Sequence, residues 1–166
     1  MRNSILLRGA VTAASVFALL ALSSRGGAAQ GSSTRYVNPA SLAKPAGYTH
    51  VVIAPDGRTV YIAGQVAFDS TGALVGEGDF VAQAEQVYRN LERALQSVGG
   101  SMADLVKTTT FVTDIRNVPA LREIRSRRLS KTQPPANTLL EVSSLARREL
   151  LIEIEAVAVL ATIVRQ

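Results

Sequence analysis

Glu153 and Glu155 stand two residues apart in the run Leu150 to Leu160, where apolar side chains alternate with a mixed set. Along an extended strand this spacing puts both carboxylates on one face, about 7 Å apart. A carboxylate in a partly buried place can hold a water and take its proton, because burial raises its pKa toward neutral pH. The same pair would serve equally as structural carboxylates bonded to backbone or arginine, so the spacing alone leaves both readings open. His50 is the only histidine, and no Asp or Glu spacing around it forms a ligand set, so no metal site is expected. The chain has no cysteine, which removes thiol nucleophiles, zinc–thiolate sites and disulfides. No nucleophile-elbow motif surrounds any serine. Gly76-Glu77-Gly78 and Gly99-Gly100 do not precede a Lys-Ser/Thr helix start, so they are turns and a cap, with no phosphate loop.

A second cluster is cationic: Arg122, Arg125, Arg127, Arg128 and Lys131, with Arg147-Arg148 downstream. Such a cluster can attract RNA, but no aromatic residues are interleaved for base stacking. A solvated face, with cations suiting a helix C-terminus, is the expected role, and nucleic acid is not expected as a partner.

The elements that must position these residues follow from periodicity. His50 to Ala54 and Thr59 to Ala63 are β-rich, and Pro55-Asp56-Gly57-Arg58 between them has hairpin-turn chemistry. The second of these strands continues through Gly64-Gln65, and Ser70-Thr71-Gly72 makes another turn. A helix is expected from Phe80 to Val98, capped by Asp79 and Gly99-Gly100, with Phe80, Ala84, Val87, Leu91, Leu95 and Val98 as its apolar stripe. Leu105 to Val112 forms a strand. A helix from Val118 to Leu129 has Pro119 in its first turn and Leu121, Ile124 and Leu129 inward. Strands Thr138 to Val142 and Leu150 to Leu160 finish the chain. The order β-β-α-β-α-β-β argues for an α+β fold, one sheet with two helices on one face. In the last strand Ile152, Ile154, Ala156, Ala158 and Leu160 point to the helices. Leu151, Glu153, Glu155, Val157 and Val159 point away, a half-apolar, half-acidic face that fits equally burial against another subunit or an ordinary solvated face carrying two valines.

The N-terminus has the order of a secretory leader: Arg2 and Arg8, an uncharged apolar run from Gly9 to Leu22, then Gly27-Ala28-Ala29 before Gln30. The expectation is a signal peptide over 1–29, a flexible Gly/Ser/Pro/Ala-rich arm over 30–47 and one domain over 48–162, periplasmic or secreted and not membrane-bound after cleavage. Without the leader the chain keeps 137 of its 166 residues, enough for one domain, and its net charge falls from +5 to +2.

Four segments, in order and at matching separations, resemble the Rid (reactive intermediate deaminase) family, also called YjgF, over roughly Tyr36 to Leu160. Tyr61-Ile62-Ala63-Gly64-Gln65-Val66 is similar to the family's strand ending in Ser-Gly-Gln. Val106-Lys107-Thr108-Thr109-Thr110-Phe111-Val112-Thr113-Asp114 resembles its Val-Lys-Thr-Thr strand. Pro135-Ala136-Asn137-Thr138 with Glu141-Val142 resembles its Pro-Ala-Arg-Ser segment, and Ile152 to Val159 its final strand. The resemblance implies a chorismate-mutase-like fold, one mixed β-sheet with two helices on one face. It further implies a homotrimer whose sheets line a central barrel, with clefts for a small-molecule ligand between subunits. The implied chemistry is hydrolysis of enamines and imines, such as 2-aminoacrylate, to 2-keto acids and ammonia, with no metal or organic cofactor. Carried over by position, Glu153 holds the catalytic water, Tyr48 closes the cleft, and Ala63, Gly64, Asn137 and Thr138 bind substrate.

Two of those positions depart from the family. Asn137 stands where an arginine grips the substrate carboxylate, and Ala63 where a serine stands; Leu139 takes the place of a frequent cysteine. Removing one side of a buried charged pair costs about 2–5 kcal/mol, so the expectation is an enamine/imine deaminase of a subgroup lacking the arginine, with altered substrate choice. Arg147 or Arg148 is the candidate replacement. A non-catalytic ligand-binding trimer of the same fold is the alternative, and a ribonuclease a distant one.

Overall fold

A long amphipathic helix sets the frame. The computed structural model describes residues 33–161, so the expected leader lies outside the described residues. Helix α1 spans Phe80–Ser97. Asp79 accepts a hydrogen bond from the Ala82 amide (3.0 Å) at its start. At its end Gly100 N donates to Leu95 O and Gly99 N to Gln96 O, which satisfies two terminal carbonyls. Phe80, Ala84, Val87, Tyr88, Leu91 and Leu95 are buried along one face. Helix α2 spans Val118–Arg128 with Pro119 in its first turn, and it buries Leu121, Ile124 and Arg125.

These helices cover one face of a four-stranded sheet with the order β3-β6-β4-β5. The strands are β3 (Gly57–Gln65), β4 (Leu105–Val112), β5 (Ala136–Glu141) and β6 (Ile152–Ala161). β6 runs antiparallel to both neighbours, and β4 runs parallel to β5, so the sheet is mixed. Ile152, Ile154, Ala156, Ala158 and Leu160 of β6 and Leu105 and Val112 of β4 join the helices in one core. The alternation of the last strand therefore has the expected sense.

Two expectations need correction. The hairpin predicted across Pro55-Asp56-Gly57-Arg58 does not form. A separate two-stranded sheet pairs β1 (Arg35–Val37) with β2 (Val51–Ile53), and β3 pairs with β6 instead. Gly57, expected in the turn, is the first residue of β3 opposite Ala161. A nine-residue strand gains far more cross-strand contact against ten-residue β6 than against three-residue β2, which outweighs the local turn preference. Secondly, within the segment expected as a flexible arm, Arg35–Val37 is strand β1, and Asn38 Oδ1 accepts from the His50 amide (2.9 Å).

Candidate functional site

Strand β3 carries an extra residue relative to β6. Ile62 lies opposite Ala156 and Gln65 opposite Ile154, so the Ala63-Gly64 step is a bulge. Gln65 Nε2 donates back to the Ala63 carbonyl (3.0 Å) across it. The bulge brings the Gly64 backbone against the Glu153 side chain so closely that a Cβ at position 64 would sit 1.8 Å from Glu153 Oε1. Glycine is thus the residue that lets the carboxylate occupy this place. Glu153 is half-buried on the sheet face away from the helices, opposite Phe111 of β4.

The start of β6 is anchored by a residue that periodicity alone did not single out. Gln83 of α1 is fully buried. Its Nε2 donates to the carbonyls of Gly76 (3.1 Å) and Glu149 (2.8 Å), and its Oε1 accepts from the Leu151 amide (2.8 Å). A buried amide with these bonds made fixes the chain two residues before Glu153. The signal available in the sequence was its place inside the apolar arc of α1.

The open face continues as a groove of about 410 Å³ lined by Tyr61, Ala63, Lys107, Thr109, Glu155 and Val157. Lys107 Nζ donates to Thr138 Oγ1 (2.5 Å), placing Thr138 on this face. Lys107, which lies within a family-like segment and carries no role in the sequence-based expectation, is the cation of this groove.

Asn137 faces the other way. It lies opposite Thr108 in the parallel β4–β5 register, and its Oδ1 accepts from Thr108 Oγ1 (2.9 Å) and Thr110 Oγ1 (3.3 Å). Both threonines are buried under the helices, at 3% and 1% exposure. Asn137 Nδ2 has no hydrogen-bond partner among the described residues. Tyr48 lies near this strand, because its neighbour Thr49 bonds through N to Pro135 O (3.3 Å) and through Oγ1 to Pro134 O (2.6 Å). The Tyr48 ring meets His50 edge-on at 5.3 Å. His50 Nε2 contacts the Ala43 carbonyl at 2.8 Å, a structural use of the sole histidine.

The structure therefore brings Glu153, Gly64 and Ala63 together at the β3/β6 side and sets Asn137 and Tyr48 at the β5 edge. From the pairing registers, Asn137 is two strand spacings (about 10 Å) and three residues (about 10 Å) from Glu153 within one chain. Arg147 is engaged elsewhere. It pairs with Glu149, and its guanidinium stacks 5.0 Å over the Phe68 ring. Arg148 is exposed. The cationic stretch on α2 also differs from the solvated face expected. Arg127 and Arg128 both pair with Glu85 of α1, while Arg125 is buried because the inward stripe of Leu121 and Ile124 continues through it. Among the described residues no group of His, Cys, Asp or Glu could hold a metal ion, and no helix is long and apolar enough to cross a membrane.

A mixed sheet with two helices on one face, a carboxylate seated on a glycine bulge and an open opposite face define a small α+β domain. The family described as Endoribonuclease L-PSP matches residues 39–160. The chain belongs to this Rid/YjgF (L-PSP) family. It is 35% identical over 129 residues to a RutC family protein of Synechocystis sp., covering 77% of this chain and 98% of the relative. It is 32% identical over 102 residues to the 2-iminobutanoate/2-iminopropanoate deaminase of Homo sapiens, covering 61% of this chain and 73% of that enzyme. Among solved structures, the Rid-family protein YyfB of Yersinia pestis superposes with a TM-score of 0.73 at 39% identity, covering 78% of this chain and all of that one.

Proposed function

We propose that this protein is an enamine/imine deaminase-type hydrolase of a subgroup without the family arginine, acting at sites shared between the subunits of a homotrimer. The observation that carries this reading is the Glu153 carboxylate seated on the Gly64 bulge of an open sheet face. In the reaction, water adds to the C=N carbon while Glu153 takes its proton. That proton passes to the nitrogen to give a carbinolamine. Its hydroxyl then loses its own proton, which Glu153 relays to the nitrogen as the C=O bond forms and the C–N bond breaks, and a carbonyl compound and ammonia leave. Shared sites are supported by the split of the candidate residues between the β3/β6 side and the β5 edge and by the open face itself. Tyr61 is 81% exposed there, with Phe111, Leu140 and Val157 on the same side, an apolar patch that suits burial against another copy. Altered substrate choice is supported by Asn137, whose Nδ2, without a hydrogen-bond partner among the described residues, is a neutral donor suited to a carbonyl or amide. The only charge in the open-face groove that could meet an anionic substrate is Lys107.

The test is ammonia release from 2-aminoacrylate and its imine tautomer by the parent, Glu153→Gln and Asn137→Arg, with light scattering for the mass. The reading expects turnover lost in Glu153→Gln and a mass of three chains; an active Glu153→Gln or a one-chain mass would overturn it. A second reading, a ligand-binding trimer without turnover, is favoured by one observation, the engagement of Asn137 Oδ1 by two buried threonines. It takes the lead if both the parent and Asn137→Arg are silent. The leader reading over 1–29 stands as part of the same proposal. N-terminal sequencing of the exported protein should begin at Gln30, and a mature chain starting at Met1 in the cytoplasmic fraction would refute export.

A further inference from the structure

Helix α2 buries an arginine that has no carboxylate partner among the described residues. Arg125 is 8% exposed, and its one side-chain hydrogen bond among the described residues runs from Nη2 to the Gly47 carbonyl, 2.9 Å. A guanidinium has five N–H donors in a planar fork, so most of its capacity is unused. No described side chain has a fully buried nitrogen or oxygen without a partner. The unused donors of Arg125 therefore open onto the space beside the helix.

That space is a cleft of about 360 Å³ between α2 and the segments around Gly47 and Pro134. Arg122, Arg125 and Lys131 line it with no acid among them, Ser130 adds a hydroxyl, and Leu129 and Pro134 give it an apolar side. The nearby acid is already committed, since Glu85 pairs with Arg127 and Arg128. No ion pair reaches Arg122, Arg125 or Lys131 among the described residues. Glu123 is on the same helix but does not line the cleft. Burial, with like-charge repulsion from Arg122 adding to it, pulls the Arg125 guanidinium below the usual arginine range, although Tyr88 opposes the shift. A buried cation held only by a carbonyl is costly, and an anion beside it would offset that cost.

We propose that this cleft binds a small organic oxyanion, a carboxylate or a phosphate monoester. The free edge of Arg125 grips two oxygens, and Arg122 and Lys131 supply the outer charge. The volume lies at the small end of ligand pockets, and no aromatic side chain lines the cleft for base stacking, which favours a small molecule over RNA. The cleft belongs to the helix layer, whereas Glu153 is on the open sheet face, so occupant and substrate do not compete.

The experiment is calorimetric titration and thermal unfolding of the full-length protein with benzoate, phenyl phosphate and neutral benzamide at constant ionic strength. One or both anions should saturate at one per chain and raise the unfolding midpoint, with the tighter of the two identifying the head group. Benzamide should do neither. The exposed double variant Arg122→Ala/Lys131→Ala should bind about tenfold more weakly while keeping the ligand-free midpoint, and Arg125→Lys, which keeps charge but loses the fork, should weaken binding about tenfold or more. The assignment is overturned if neither anion saturates, if benzamide binds as well, or if the double variant binds like the parent. It is also overturned if a short single-stranded RNA binds and phenyl phosphate does not displace it.

Discussion

Gly64→Ala displaces Glu153 without altering its chemistry. The new Cβ would lie 1.8 Å from Oε1 and 2.7 Å from Cδ, where ordinary contact begins at 3.4 Å. The carboxylate must retreat by about 1.5 Å, and a misplacement of about 1 Å at a reacting centre can cost about 10²-fold in rate. At about 1.4 kcal/mol per decade that is close to 3 kcal/mol of transition-state stabilisation. Stability should change much less. Gly64 is not among the glycines of positive φ, so alanine brings no backbone strain there. The atom in the way is the end of a flexible side chain, whose shift off its preferred rotamer costs about 1 kcal/mol. The assay is steady-state ammonia release from the 2-aminoacrylate imine, with denaturant unfolding in parallel. In a double-mutant cycle Gly64→Ala should add almost nothing to Glu153→Gln, because under the proposed function both remove the same contact with water. A Gly64→Ala enzyme within threefold of the parent, folded and equally stable, would refute the placement of the catalytic water on Glu153.

Three further outcomes follow from the packing. Asn137→Ala leaves the hydroxyls of Thr108 and Thr110 without their shared acceptor under the helices, and the unfolding free energy should fall by about 1–3 kcal/mol; an unchanged denaturant midpoint would refute that linkage. Arg128 first, and Arg127 with it, hold the Glu85 carboxyl below the ordinary carboxylate range. A carboxyl with its folded pKa below the unfolded one contributes stability that is present above the unfolded value and lost as pH falls through the folded one. Acidification below about pH 4.3 should therefore weaken the parent more steeply than Glu85→Gln, and parallel acid limbs in an unfolding series would contradict the ion pairs. Tyr61→Asp puts a charge on the bare sheet face, where Tyr61 is 81% exposed. Light scattering should then give the mass of one chain, and an intact trimer would show that this face is not the interface.

Alternation along β6 fixes its two faces from the chain alone, because a period of two depends only on neighbours in sequence. The helical stripe of α1 is legible for the same reason, and its expected bounds differ from Phe80–Ser97 by one residue. Pairing is another matter, since it depends on residues far apart. The Pro55-Asp56-Gly57-Arg58 turn signal was outweighed by a longer partner almost a hundred residues away in sequence. The face of Asn137 depends on the parallel register that sets it opposite Thr108, and a slip of one residue would have turned its amide to the open side. In the sequence Arg125 reads as solvated because its charge hides the position it holds in the inward stripe, while its long stem lets that position be filled. The resemblance could name Glu153, Gly64, Tyr48 and Asn137 but not show that one chain divides them between the β3/β6 side and the β5 edge. That division bears directly on function. If a ligand is to meet both Glu153 and Asn137, a second copy has to bring its β5 edge to the first copy's bulge. Assembly is then a condition of that site rather than an addition to it, and any variant that yields a folded single chain should lose binding of the ligand at Glu153 along with the proposed trimer.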